Sequence, residues 1–271
     1  MEVTKLTKKR IAEYLLSGKR FDGRNALEFR DISIELGVSK NAEGSAVVKL
    51  GKTEVMAGVK MNVGEPYPNE KDSGTMIVSV ELLPLSSSRY EMGPPKFDAI
   101  EIARIVDRGI RESGMIDFRK LCIKEGEKVW TVFIDIYSIN DDGNILDAAS
   151  IAAVAALKSA RMPKYEKEQV VFGEWIDEGL PLNSDTTPLN ITFHKVGDKF
   201  LLDPVADEED AADSRIAIAL SDYNGKAVIN SLQKSESTEM SMEEVYDVLD
   251  RAEETFKSLK PRIDKMVKGK K

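Results

Sequence analysis

Between residues 203 and 213 six carboxylates crowd one short stretch: Asp203, Asp207, Glu208, Glu209, Asp210 and Asp213. Such density can hold Mg²⁺ beside a phosphate, because that hard cation takes one or two carboxylates and completes its shell with water and substrate oxygens. The plainer reading is a solvated acidic loop ahead of the apolar strand that follows. A basic set stands against it: Arg104, Arg108 and Arg111 recur three and four residues apart. At about 100° per residue they share one helix face within roughly 60°, spread over about 10 Å of axis. Guanidiniums so arranged can bind several phosphates, each pairing bidentately. Glu101, Asp107 and Glu112 lie at helical spacing from them and can instead absorb them into surface ion pairs.

Two other strings mimic motifs and fail. Gly51-Lys52-Thr53 resembles the end of a phosphate-binding loop, but the required upstream glycine is Ala46 and no helical pattern follows. Asn140-Asp141-Asp142-Gly143-Asn144 has the composition of a Ca²⁺ loop without its spacing to a distal Glu, and reads as a turn. The chain carries one histidine, His194, and one cysteine, Cys122. That excludes an intramolecular disulfide framework and any zinc site built from several Cys and His ligands. A nucleophile–histidine enzyme would have to use His194.

The elements that must position these residues follow from periodicity. Ile11, Tyr14 and Leu15 predict a short amphipathic helix. Strands are expected at Ile32–Leu36, at Ala46–Leu50 opened by Gly44-Ser45, at Thr53–Val59 and at Thr75–Leu83, with a projecting loop over Asn62–Asp72. Pro94-Pro95 precedes a helix over Asp98–Ser113, with Asp98 as N-cap and Gly114 as stop. Ala99, Ala103, Val106 and Ile110 form its apolar stripe, away from the arginines. A strand over Val129–Tyr137, a turn at Asp142-Gly143 and an Ala-rich helix over Leu146–Ser159 come next. Residues 163–185 read as an irregular connection, with a boundary near 165–188. Strands then recur near Leu189–His194, Lys199–Leu202, Arg215–Leu220 and Ala227–Leu232, the last two joined by an Asn224-Gly225 hairpin turn. A final helix carries the stripe Val245, Val248, Leu249, Ala252, Phe256, Leu259 and Ile263. The pattern predicts an α+β fold of two similar β-rich lobes: an N-terminal helix and lead-in over 1–30, a first lobe over 31–165 and a second over 186–271.

With 271 residues, 42% of them hydrophobic, the chain can bury a substantial core. Its net charge of −8 argues against a surface that clamps nucleic acid all over. That charge is unevenly spread. The first 24 residues hold seven basic against three acidic side chains, and the tail from Phe256 seven against one, so the middle is strongly acidic. No apolar segment is long enough to span a membrane, and no apolar run follows the basic N-terminus. A cytoplasmic protein with no membrane association is expected, and the Asn190-Ile191-Thr192 sequon should stay unmodified.

Several strings together are familiar. Phe21-Asp22-Gly23-Arg24, Glu28-Phe29-Arg30, Glu43-Gly44-Ser45-Ala46 and Gly51-Lys52-Thr53-Glu54-Val55 come first. Ile100-Glu101-Ile102-Ala103-Arg104, Asp141-Asp142-Gly143 with its Ala-rich helix, and Ala212-Asp213 before an apolar strand follow in order. In that order, over nearly the whole chain, they resemble the ribonuclease PH family, and within it the non-catalytic ring subunits of archaeal exosomes. The resemblance implies a ribonuclease PH-like fold with βαβ units. It also implies a hexameric ring of three heterodimers with a catalytic paralogue, RNA-binding cap subunits on one face, and single-stranded RNA threaded inward for 3′→5′ phosphorolysis. Catalytic relatives carry Gly-Gly-Thr-Arg where this chain has Asp142-Gly143-Asn144-Ile145-Leu146, and a phosphate-binding arginine where it has Asp98. An anion receptor replaced by an anion repels orthophosphate. Asp213 matches the second of the family's two aspartates, but the loop to Asp207 is shortened, so the acidic run is expected to be inherited scaffold without a metal. The resemblance also places the 62–72 loop, with Glu65, Glu70 and Asp72, toward the pore. The expectation is a non-catalytic subunit without cofactor or metal that helps position RNA through Arg104, Arg108 and Arg111. The alternative is an active phosphorolytic exoribonuclease or nucleotidyltransferase using Asp207, Asp213 and Mg²⁺.

Overall fold

The computed structural model describes residues 4–183 and 185–268. Met1 and Glu2 of the basic N-terminal segment, Ser184 in the connection, and Lys270 and Lys271 of the basic tail lie outside them. Helix α1 (Lys5–Leu16) leads into a meander of β1 (Ile32–Leu36), β2 (Gly44–Leu50) and β3 (Thr53–Gly64), and β4 (Thr75–Leu82) follows. Helix α2 (Phe97–Glu112), a short strand β5 (Cys122–Lys124), β6 (Lys128–Asn140) and helix α3 (Ile145–Ser159) follow. The first sheet runs β1-β2-β3-β6-β4, with β5 on β6. Only β4 and β6 pair parallel within it, from Thr75↔Thr131 to Leu82↔Ser138. A parallel pair needs a crossover, and α2 supplies it, which makes a βαβ unit.

The second sheet is built from β9 (Leu189–Val196), β10 (Lys199–Leu202), β11 (Ser214–Tyr223) and β12 (Lys226–Ser235), ordered β10-β9-β11-β12. Strands β10 and β11 both lie antiparallel to β9 and so share a direction. The short helix α4 (Ala206–Ala211) joins them. Asn224 and Gly225 both take positive φ, 52° and 78°, as the tight hairpin turn requires. Helix α5 (Met242–Lys268) buries Val248, Ala252, Phe256, Leu259 and Ile263 as its period predicts.

The sequence left 163–185 irregular, yet the structure makes it a hairpin of β7 (Arg161–Glu166) and β8 (Gln169–Gly179). Most of β8 faces solvent, so its side chains carry no clean alternation to read. Two smaller differences also emerge. Strand β3 runs on to Gly64, so the projecting loop starts later than residue 62. Lys96, not Asp98, occupies the N-cap of α2, and Asp98 sits in the first turn, where a carboxylate suits the helix dipole.

Helix α3 holds the two sheets together. Every side chain from Ile145 to Leu157 is buried, and the helix touches β2 and β3 on one side and β9 on the other. Its alanines permit that double contact. Gly44 of β2 runs so close that an added Cβ would collide with the Ala156 carbonyl and with Ala160. One apolar cluster therefore runs from Val48 and Ala57 through Ile151 to Ile191 and Phe256. Helix α1 docks separately, with Ile11 and Leu15 against Val196 and Leu201.

Candidate functional site

The acidic run is not a solvated loop. Asp203 is wholly buried and takes up a positive φ of 49°. Its carboxylate accepts from the Arg30 backbone N–H at 2.8 Å, from Arg30 Nη2 at 2.7 Å, from Arg24 Nη1 at 3.1 Å and from Asn144 Nδ2 at 2.8 Å. Glu208, equally hidden, accepts from Arg20 Nε at 3.0 Å and Nη2 at 2.5 Å. Arg30 also donates to the carbonyls of Asp142 and Gly143. Thr53 closes the set by donating to the Gly143 carbonyl at 2.6 Å. Buried charges persist only when paired and hydrogen-bonded, and here they are. The network clamps the lead-in segment, the β2–β3 turn and the start of α3 to the second sheet. Gly143 has to be glycine: its φ is +84°, and a Cβ would come within 2.6 Å of the Ala206 nitrogen.

Asp207 and Asp213 do not join this cluster; both are exposed. Asp213 Oδ2 accepts from the Gly197 N–H at 2.7 Å and so braces the β9–β10 turn. Among the described residues no group of three or more His, Cys, Asp or Glu side chains could hold a metal ion.

The network borders a cavity of about 400 Å³ that the sequence did not foretell. The 83–96 segment, the start of α2, Asp141, Asn144, His194, Glu209 and Arg215 line it. Asp98 and, from the 142–146 segment, Asn144, Ile145 and Leu146, which the family resemblance marks as places for phosphate-binding groups, line the same space. Glu209 accepts from the Asn144 backbone N–H at 2.8 Å, and burial pushes its carboxyl up to about 7. His194 Nε2 lies 3.7 Å from Glu209 Oε1. Burial, with Arg215 adding repulsion, holds the imidazole down at about 3, so His194 is neutral. Tyr90 donates to Asp141 at 2.8 Å, and burial together with that carboxylate keeps the phenol protonated. His194 was visible in the sequence only as the single imidazole. Glu209 was visible only as one member of the acidic run and Tyr90 gave no signal, because the cavity is closed by residues more than a hundred positions apart.

On α2 the arginine face exists, but its members differ. Arg111 pairs with Asp107 at 2.7 Å, donates to the Met76 carbonyl at 3.0 Å and lies over the Phe118 ring. Arg108 sits 3.7 Å from Glu112 with both side chains about half exposed. Arg104 is exposed and makes no ion pair or hydrogen bond among the described residues. The buried side of the helix is Ala99, Ile102, Ile105, Val106, Gly109 and Ile110, with Ala103 only partly covered.

The domain 1 profile of the 3′ exoribonuclease family matches residues 28–163, and its domain 2 profile matches residues 186–255. The chain belongs to the 3′ exoribonuclease family, the RNase PH family. Within this family it is 44% identical over 247 residues to the exosome complex component Rrp42 of Methanocella arvoryzae, covering 91% of each chain. To the Rrp42 component of Thermococcus onnurineus it is 47% identical over 244 residues, covering 89% and 88%. A chain of the Archaeoglobus fulgidus exosome, solved with RNA bound to the active site, superposes with a TM-score of 0.87 at 40% identity over 95% of this chain and 97% of that one. A chain of an archaeal exosome core gives 0.83 at 38% identity, covering 95% and 96%. The family fold expected from the sequence is the fold observed. No helix among the described residues is long and apolar enough to cross a membrane.

Proposed function

We propose that this chain is a non-catalytic subunit of an archaeal-type exosome, which helps position RNA for 3′→5′ phosphorolysis carried out by a ribonuclease PH-like paralogue. The observation that carries the reading is the cavity wall. Asp98 stands where the family resemblance calls for a phosphate-binding arginine, and Asp141 and Glu209 add carboxylates to the same wall. Its three cations are already committed, Arg89 to Asp210, Lys96 to Glu91 and Arg215 to Glu101. An orthophosphate entering there would meet repulsion in a space of lowered dielectric, where charge interactions are strengthened. The likeness to Rrp42 components over nine-tenths of the chain supports the assignment to an exosome. On this reading Arg104 and Arg108 are the residues of the α2 face available to RNA phosphates, and Arg111 is held in the fold. The pure chain should show no phosphate-dependent decay of a single-stranded RNA, and mixing it with the catalytic paralogue should produce that activity. Phosphorolysis by the chain alone would refute the proposal.

A further inference from the structure

We propose that the outer face of helix α1 and the turn that ends it form a docking platform for single-stranded RNA, distinct from the α2 arginine face. The inference deepens the proposed function and takes its ligand class from it. The geometry begins at the helix end. Gly18 takes a positive φ of 79°, and the N–H groups of Gly18 and Lys19 donate back to the carbonyls of Leu15 and Tyr14 at 2.9 and 3.2 Å. That pair of bonds closes a helix on a glycine and reverses the chain. The next residue, Arg20, is buried and locked by its ion pair with Glu208 and by hydrogen bonds to the carbonyls of Leu202 and Asp203. Phe21 is thereby folded back onto Tyr14, and the two rings stack with centroids 4.7 Å apart and planes 6° from parallel. The pair is no part of the core: Tyr14 is 41% and Phe21 56% exposed. A rigid aromatic stack is thus held open to solvent.

Charge around the stack selects the occupant. Lys8, Arg10 and Lys19 are exposed and make no side-chain ion pair or hydrogen bond among the described residues. The two acids of the same stretch are engaged, Glu13 at 4.0 Å from Lys9 and Asp22 at 2.7 Å from Arg24. Arg10 lies one turn before Tyr14 on the same side of the helix, and Lys19 follows the turn that brings Phe21 back. The acidic helix α4 packs through Ala211 on the Ile11 and Leu15 side, roughly a quarter turn round the helix from Arg10 and Tyr14. Free cations beside flat, exposed rings are the parts of a sequence-tolerant single-strand site: bases stack on the rings and phosphates meet the cations. A duplex keeps its base faces in its own stack and cannot use the rings. A lipid surface fits less well, since an interfacial helix needs its apolar stripe free, and Ile11 and Leu15 are spent against Val196 and Leu201.

The test is a fluorescence-anisotropy titration of the full-length chain with a labelled oligoadenylate of about 15 nucleotides. The same RNA annealed to its complement, and sedimentation with phosphatidylserine vesicles, serve as comparisons. Tyr14→Ala and Phe21→Ala should each weaken binding of the single strand about tenfold, the share of one stacked base, and Tyr14→Phe, which keeps the ring, should bind like the parent. Arg10→Ala, at a position that makes no contact the fold depends on, should reduce the salt dependence of log K by about 0.7. No binding by the parent, unchanged affinity and salt slope in the alanine variants, equal affinity for the duplex, or capture by the vesicles in place of RNA would overturn this inference. None of these results refutes the proposed function, whereas phosphorolysis by the pure chain would refute that function and leave this surface standing.

Discussion

Two acidic clusters lie on either side of Asn144, and they are opposites. In the first, Asp203 and Glu208 are buried and both meet arginines: Arg20, Arg24 and Arg30 all reach in from the lead-in segment. Around Glu209, Asp141 and Asp98 a cavity remains, the nearby Arg89 and Arg215 pair with Asp210 and Glu101 instead, and burial raises the Glu209 carboxyl. The sequence stretch 203–213 feeds both. The difference shows that carboxylate density has no meaning of its own. What decides between a structural clamp and an open, receptive wall is whether partners of opposite charge reach the same depth. The same contrast recurs on α2, where Arg111 is anchored and Arg104 is not.

The paired cluster should be the costlier one to disturb. Arg30→Ala leaves Asp203 buried without its principal partner and should destabilise the chain by about 3–5 kcal/mol in a denaturant titration. Arg89→Ala, at the partly exposed pair with Asp210 on the cavity rim, should cost only about 0.2–1 kcal/mol. Similar losses at the two positions would remove the distinction between the clusters.

A second, smaller effect lies in the pH dependence. Burial raises the Asp147 carboxyl to about 7, although Thr192 and Asn144 donate to it. Between about pH 4 and 7 the folded chain therefore holds a proton that the unfolded chain releases, and this group makes stability fall as pH rises. His194 has the opposite sign. Held near 3 in the fold, it is neutral where the unfolded imidazole is charged, so its contribution is lost as pH falls from about 6.5 toward 3. The two slopes oppose each other over their shared window. Asp147→Asn should let stability climb with pH there by up to about 1.4 kcal/mol per pH unit more than in the parent. Equilibrium unfolding at several pH values would reveal the change in slope, and an unaltered slope would mean that Asp147 titrates as an ordinary carboxylate.

The smallest expected effect concerns RNA. In the assembled ring, Arg104→Ala should weaken RNA binding a few-fold and reduce the salt dependence of log K by about 0.7, the share of one single-strand phosphate. Arg111→Ala should leave that slope nearly unchanged, because its guanidinium is already spent on Asp107 and the Met76 carbonyl. Unchanged affinity and salt slope at both positions would return the whole face to surface ion pairing.

Much of the architecture was legible. The alternation in Ile32–Leu36, the alanines of α3 and the heptad-like stripe of α5 each report a local geometry, and each element formed where its period predicted. The β7–β8 hairpin was not legible, since a mostly solvent-facing ribbon imposes no apolar rhythm. The family strings were legible too, but their purpose was not. Arg24, Arg30, Thr53 and Gly143 stood out as a pattern, and only the fold reveals them as parts of one buried clamp.

The sequence by itself determined the order of elements and the family, because these depend on residue types and on spacings of a few positions. The tertiary structure alone decided which carboxylates are paired, that Asp98 and Asn144 share a cavity with His194 and Glu209, and that Arg104 is the arginine of its face without an ion pair among the described residues. Those outcomes turn on contacts between residues as far apart as Arg20 and Glu208. Charge pairing acts over a few ångströms in space, and periodicity carries no information about which distant segments will be brought that close.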